Sequence, residues 1–428
     1  MILALHIALI LILIYRWKWL MVDGSRPWIS VVVLAMKVTL GWWLTGYYMT
    51  AYGGGDMHDF LKDAGRLAEL FYKDTSGFFG VITGLPASGA QVSETIESMR
   101  FWVEKGVNLH YNDARTVIRF HALLGLFSGG QALVHLLWSN VVALAGSLTL
   151  LRFFSETDSP GKSLPLSSLI VLFLPGSLIW SSMVLKEPLL LLAMGVTLRY
   201  FRICIINHQR EGIPYLIAGI LLFLLVKSFW LLALVPGLAA WLLFRKSLRP
   251  APVVYIAYTL AVLALVSVAA FYPAFDIPSL LYGQQLESWR FAVYRNAGSL
   301  FHPVPFAPDT FSLLKHLPQA LAYSLFRPWP SEWIRFGNIP FIIENAVLVF
   351  LFIVAVISCR RRRISLGFPV MVAVMGAFVI LAVCGFTGSV TGNLVRYRLP
   401  GILLLSGALW SLASGTSLSG RQSSAESK

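Results

Sequence analysis

Apolar positions along this chain arrive as long uninterrupted runs instead of the short periodic stripes of a water-soluble core. Many runs reach about 18–20 residues, the length a helix needs to cross ~30 Å of hydrocarbon. They predict spans near 1–15, 28–51, 120–151, 167–184, 188–206, 213–228, 229–244, 252–272, 340–358, 366–386 and 399–414. The continuous run 213–244 is too long for one crossing and predicts a tight hairpin with its midpoint at Lys227-Ser228. The fold class expected is all-α, a polytopic transmembrane helix bundle of about eleven spans. A single domain is expected over 1–414, followed by a short polar tail over 415–428.

Composition agrees with the pattern. Of the 428 residues 57% are hydrophobic and only 13% charged, about half the charged share of an ordinary soluble domain. A soluble enzyme, a disordered chain and a disulfide scaffold are excluded. The three cysteines, Cys204, Cys359 and Cys384, show no pairing or metal spacing. The apolar start, Met1 to Ile14, lacks a preceding basic residue and a small-residue cleavage site, and reads as a first span rather than a signal peptide.

The net charge of +14 would suggest nucleic acid in a soluble protein, but here it sets topology. Arg16/Lys18/Arg26, Arg152/Lys162, Arg199/Arg202/Arg210, Arg245/Lys246/Arg249 and Arg360 to Arg363 fall in alternate loops. Basic loops face the cytoplasm, so the N-terminus lies outside, the C-terminus lies inside, and two long segments, 52–117 and 273–339, are extracytoplasmic. The first carries nine of the chain's 20 acidic residues. Loops of this length are usually functional.

The candidate chemistry gathers on that outer side. Gly53-Gly54-Gly55-Asp56-Met57-His58-Asp59 leaves the second span through a flexible turn, and a helix is expected to run on to about Tyr72. Phe60, Ala64, Leu67 and Phe71 share one face, which fits a helix in the membrane interface. Asp56, Asp59 and Asp63 share another, suiting a general base, a divalent cation such as Mg or Mn at Asp56 and Asp59, or simply the dipole of a helix N-terminus. Lys186-Glu187 stands alone between apolar walls, where charge is costly and usually serves a function. Lys227, on the same side, can snorkel or bind a lipid phosphate as a point charge. Arg396 and Arg398 lie outside against the positive-inside tendency, and their planar forks suit phosphate. Arg290, Arg295 and Arg327 sit beside aromatic residues in the second loop, an arrangement shared by sugar or phosphate sites and by ordinary interfacial belts. Lys37 is expected to snorkel or pair locally, and His121 and His135 to be satisfied within the bundle. No glycine motif for nucleotide phosphates is present.

An aspartate just after an early span, opening a long external loop, resembles the GT-C superfamily of polytopic glycosyltransferases. The runs Pro175…Trp180-Ser181-Ser182…Lys186-Glu187, Phe326-Arg327-Pro328-Trp329-Pro330…Glu332 and Asn393…Arg396-Tyr397-Arg398-Leu399-Pro400 look like those of bacterial members. The resemblance implies an inner-membrane enzyme that takes a sugar from a polyprenyl-phosphate donor to a glycan, lipid or protein acceptor. Asp56 matches the first-loop catalytic aspartate, Arg396 or Arg398 the late arginine near the donor phosphate. An extra span before the aspartate and the missing acidic neighbour after it depart from the family pattern. Two other readings fit the same envelope. An O-antigen-type polymerase or ligase would centre on Arg290, Arg295 and Arg327. A transporter for lipid-linked glycans would show internal pseudo-symmetry and charges at mid-membrane depth.

Overall fold

The computed structural model describes residues 1–22, 26–102, 112–155, 164, 166–244, 276–332, 336–362 and 367–414. Most of these are helical and none is in a strand; one isolated antiparallel bridge joins Leu300 and Val390. The expected span 252–272 and the tail 415–428 lie outside the described residues. In chain order the helices are α1 (Ile2–Arg16), α2 (Trp28–Tyr52), α3 (Asp56–Lys73), α4 (Thr75–Thr83), α5 (Ala90–Ser98), α6 (Ala114–Ser128) and α7 (Ala132–Phe154). Then follow α8 (Leu169–Leu172), α9 (Pro175–Ser181), α10 (Glu187–Phe201) and α11 (Ile213–Phe244). The chain continues with α12 (Ile277–Tyr294), α13 (Thr310–Phe326), α14 (Ile339–Arg362), α15 (Phe368–Thr387), α16 (Thr391–Tyr397) and α17 (Leu399–Ser414).

Six described helices are long and apolar enough to cross a membrane: α2, α7, α10, α11, α14 and α15. The lipid bilayer is the solvent such surfaces fit. Along α14, Val349, Phe350, Phe352, Ile353, Val356 and Ile357 are all exposed, an apolar face too continuous for water. The shorter α1 and α17 are apolar as well, but 15 residues of helix rise only ~22 Å.

The chain forms two compact units. The first comprises Met1–Phe153, Thr157–Pro165 and Leu178–Ser228. Within it Gly53 closes α2 in the left-handed conformation, φ +68°, which a residue with a side chain rarely adopts. α3 starts directly afterwards and buries Met57, Phe60, Ala64, Leu67 and Leu70. The expected span 120–151 is two helices, because consecutive left-handed glycines, Gly129 (φ +60°) and Gly130 (φ +73°), end α6 before α7 starts. α7 and α10 approach through small residues: a methyl group on Gly195 would lie 2.5 Å from the carbonyl oxygen of Gly146. Close backbone approach at glycine is a common way for membrane helices to pack.

The expected span 167–184 is also interrupted, as the short pieces α8 and α9 with irregular backbone over 182–186. Pro175 cannot continue the helix from α8, and Gly176 sits so close to the Glu344 carboxylate that no side chain would fit. In α11 helical geometry is lost at Lys227 (φ −161°, ψ 73°), at the residue expected to mark the turn.

The second unit comprises Phe154–Glu156, Leu166–Ser177 and Phe229–Lys428. The long segment 273–339 holds α12 and α13, each begun by an aspartate cap: Asp276 accepts from the Ser279 amide at 3.1 Å and Asp309 from that of Ser312 at 2.8 Å. Val304, Phe306, Ala320 and Phe386 form a buried cluster joining this segment to α15. α17 packs on α15, and Gly407 lies against the Phe154 ring.

Candidate functional site

The first unit brings three charged residues from distant parts of the chain to one point. Asp113 immediately precedes α6, Lys186 immediately precedes α10, and Lys227 occupies the break in α11. The Lys186 ammonium donates to Asp113 Oδ1, while Lys227 Nζ lies 3.6 Å from Oδ2. Thr116 Oγ1 donates to the Leu225 carbonyl, which ties the first turn of α6 to the α11 segment just before the break. The two lysine side chains retain only 17% and 12% exposure, so their charges are screened far less than surface charges. Burial pushes the Asp113 carboxyl up, but the pull of Lys227 and Lys186 is larger in sum and holds it below the usual carboxylate range. The result is two ammonium groups sharing one carboxylate.

Asp56 opens α3, half-buried at its first residue. One turn further on, the Phe60 ring lies 5.9 Å from Lys186 Nζ, within cation–π range, so the aspartate end of α3 and the lysine pair belong to one neighbourhood. The other two acids of that face do different work. Asp59 is bound by Arg100 at 2.6 Å. Asp63 is fully buried and accepts the backbone amides of Arg100 and Phe101 at 3.0 and 2.8 Å, pinning the chain after α5 onto α3. Burial, and then Lys62, lower the His58 pKa, with Asp59 opposing. Among the described residues no three His, Cys, Asp or Glu side chains converge as a metal-ligating group. Glu187 is buried in the first turn of α10, where the helix dipole favours an acid. Lys37 is buried and donates to Ser181 Oγ at 2.6 Å, and the two ring Nδ1 atoms of His121 and His135 lie 3.1 Å apart.

The arginines fall in the second unit, in three different settings. Arg290 and Arg295 are exposed on and just after α12, with Arg295 beside the Phe291 ring at 5.2 Å. Arg327 is held by Glu332 through two bonds of 3.1 and 2.8 Å and covers the Phe301 ring at 3.9 Å. Arg396 is half-buried on α16. Arg398 is completely buried: it pairs with Glu344 at 3.1 Å and donates to Asn345 Oδ1 at 2.9 Å and to the carbonyls of Ser324 and Arg327 at 2.8 and 2.6 Å. Glu344 in turn accepts the Gly176 amide at 2.5 Å. Arg398 was expected at a lipid phosphate; its guanidinium is instead enclosed as a crosslink of α13, α14 and α17.

Two residues of these clusters were not singled out from sequence. Asp113 was one acid among nine, and its lysine partners are 73 and 114 positions away. Glu344 carried a clearer signal, a lone acid inside an apolar run, where ionisable side chains are costly without a partner. Compared with known proteins, the chain matches no family, no curated protein and no solved structure.

Proposed function

We propose that this chain is a multi-pass glycosyltransferase of the bacterial cytoplasmic membrane, resembling the GT-C superfamily. It would use a polyprenyl-phosphate sugar on the extracytoplasmic face, with the N-terminus outside and the C-terminus in the cytoplasm. The observation that carries the reading is the meeting of Lys186 and Lys227 on one carboxylate beside the aspartate end of α3. Two sparsely hydrated ammonium groups that already hold an anion suit a lipid phosphate equally well. Asp113 is the resident anion that a phosphate would displace.

In the proposed reaction Asp56 takes the proton from an acceptor hydroxyl. The oxygen attacks the anomeric carbon of the donor sugar from the face opposite the lipid phosphate, and the bond from that carbon to the phosphate oxygen breaks. The electron pair leaves with the polyprenyl phosphate. Negative charge grows on the departing oxygen, and Lys186 and Lys227 stabilise it in a site of low dielectric, where fixed charges are most effective. No step passes through a metal ion. The acceptor is a glycan, lipid or protein.

The test is binding of undecaprenyl phosphate to the protein in nanodiscs, followed by native mass spectrometry. Lys186→Gln and Lys227→Gln are each expected to weaken binding by about tenfold or more, the loss of one charge-assisted hydrogen bond. Unchanged binding in both variants would remove the phosphate site. The polymerase or ligase reading has one favourable observation, the exposure of Arg290 and Arg295. It predicts that Arg290→Gln and Arg295→Gln abolish activity while the two lysine variants do not.

A further inference from the structure

Along α3, beyond the aspartates, the first unit contains a cavity of about 290 Å³ between α3, α6 and α7. Glu69 and Tyr72 of α3 stand at its exposed edge, Ser128 and His135 form the inner wall, and Leu61 and Ala132 supply apolar surface. This volume sits at the low end of small-molecule sites, so the occupant is about the size of one ring. The lining combines a carboxylate, an aromatic face with a hydroxyl, an imidazole and small apolar patches. A hydroxyl-rich ring with one apolar face matches it: vicinal hydroxyls donate to a carboxylate, and the ring's C–H face lies on an aromatic.

The inner wall is ordered from behind. His135 Nε2 lies 3.0 Å from Ser128 Oγ, its Nδ1 lies 3.1 Å from His121 Nδ1, and His121 Nε2 lies 3.4 Å from Ser139 Oγ. Two facing Nδ1 atoms require one to donate and the other to accept. Reversing that bond reverses the whole series, so Ser128 Oγ, which also lies 3.3 Å from the Gly125 carbonyl and the Gly130 amide, can turn either a lone pair or its proton to a sugar hydroxyl. The lining residues of α3, from Leu61 to Tyr72, fall on the opposite face of the helix from Asp56, Asp59 and Asp63. The cavity is therefore separate from the aspartates.

We propose that this cavity is a carbohydrate subsite taking one sugar ring. Its role as a holding site for a distal unit of the acceptor glycan rests on the transferase reading, whereas sugar binding itself does not. Saturation-transfer NMR on the protein in nanodiscs tests it, using the methyl glycosides of glucose, galactose, mannose and N-acetylglucosamine, with decanoate as an acyl-chain probe. At least one glycoside receives saturation, and Glu69→Gln and Tyr72→Ala each weaken its binding about tenfold. Both residues are exposed, so these variants are expected to fold, which an unchanged melting temperature checks. Asp56→Asn retains glycoside binding, which separates this site from the proposed reaction centre. If binding persists while Asp56→Asn leaves glycan synthesis intact, the transferase reading fails and the carbohydrate subsite stands. Saturation of decanoate alone, of no probe, or of a glycoside equally in all variants would overturn the proposal.

Discussion

Arg398 separates a structural role from a ligand-binding one. Arg398→Met removes a guanidinium that is fully enclosed and leaves Glu344, itself 1% exposed, without its ion-pair partner. Hydrogen bonds to Asn345 Oδ1 and to the carbonyls of Ser324 and Arg327 vanish with it. Removing one member of a buried ion pair costs about 3–5 kcal/mol, mostly the cost of the remaining buried charge. Adding Glu344→Gln removes that charge but still strands the Gly176 amide bond in weaker form, so about half the loss should return. Glu344→Gln alone leaves the buried guanidinium without its ion-pair partner and should itself destabilise, so the coupling between the two substitutions exceeds ~2 kcal/mol, well above what independent sites show. A double-mutant cycle on unfolding in SDS–detergent mixtures measures it, with undecaprenyl phosphate binding recorded on the same samples. If Arg398→Met proved as stable as wild type and lost lipid-phosphate affinity, the assignment as a buried crosslink would be wrong.

Four further outcomes follow from the geometry. Asp113→Asn removes the resident anion between Lys186 and Lys227 and should tighten phosphate binding, seen as a lower Kd for undecaprenyl phosphate; weaker binding would mean that Asp113 orients the lysines. Because the folded-state pKa of Asp113 is depressed below its ordinary value, its contribution to stability is present above about pH 4 and is lost as the pH falls through the folded value. Acid titration of the melting temperature should accordingly be shallower below about pH 4 for Asp113→Asn than for wild type. Asp63→Asn, which disturbs two buried backbone bonds, should cost about 2–3 kcal/mol, against less than ~1 kcal/mol for Asp59→Asn, whose partner Arg100 is 60% exposed; equal losses in thermal unfolding would contradict the division of roles. Gly385→Val, at a position where the added Cβ would overlap the Ala320 backbone, should separate α13 from α15 and lower the melting temperature sharply, whereas Gly392→Val, in open space, should not.

Local features were readable from the sequence and distant pairings were not. The 3.6-residue spacing of Phe60, Ala64 and Leu67 marks one face of α3 because a helix repeats its environment at that period, but that face, which the sequence places in the membrane interface, is enclosed by protein. Lys227 marks the break in α11 because a charge inside a 32-residue apolar run has no stable mid-membrane position. The split between α6 and α7 was written in Gly129-Gly130, yet hydropathy alone reads through two glycines as through any apolar pair. Asp113 with its lysines and Arg398 with Glu344 depend on which helices become neighbours, and a single sequence carries no measure of that. A charge on the outer side reads as a ligand site or a scaffold pair with equal ease until its partners are known. Arg398 therefore reads from sequence as a phosphate ligand, and Glu344 as one polar position in an apolar run.

The proposed role of Asp56 is to take the acceptor proton in sugar transfer on the outer face of the membrane. Its most direct test is a mass profile of surface glycans and lipid-linked intermediates from a deletion strain carrying no copy, the wild type, or Asp56→Asn at matched membrane levels. A glycan lacking one sugar is expected in the deletion strain, restored by wild type and not by Asp56→Asn. Full restoration by Asp56→Asn, or accumulation of complete single repeat units in the deletion strain, would contradict it.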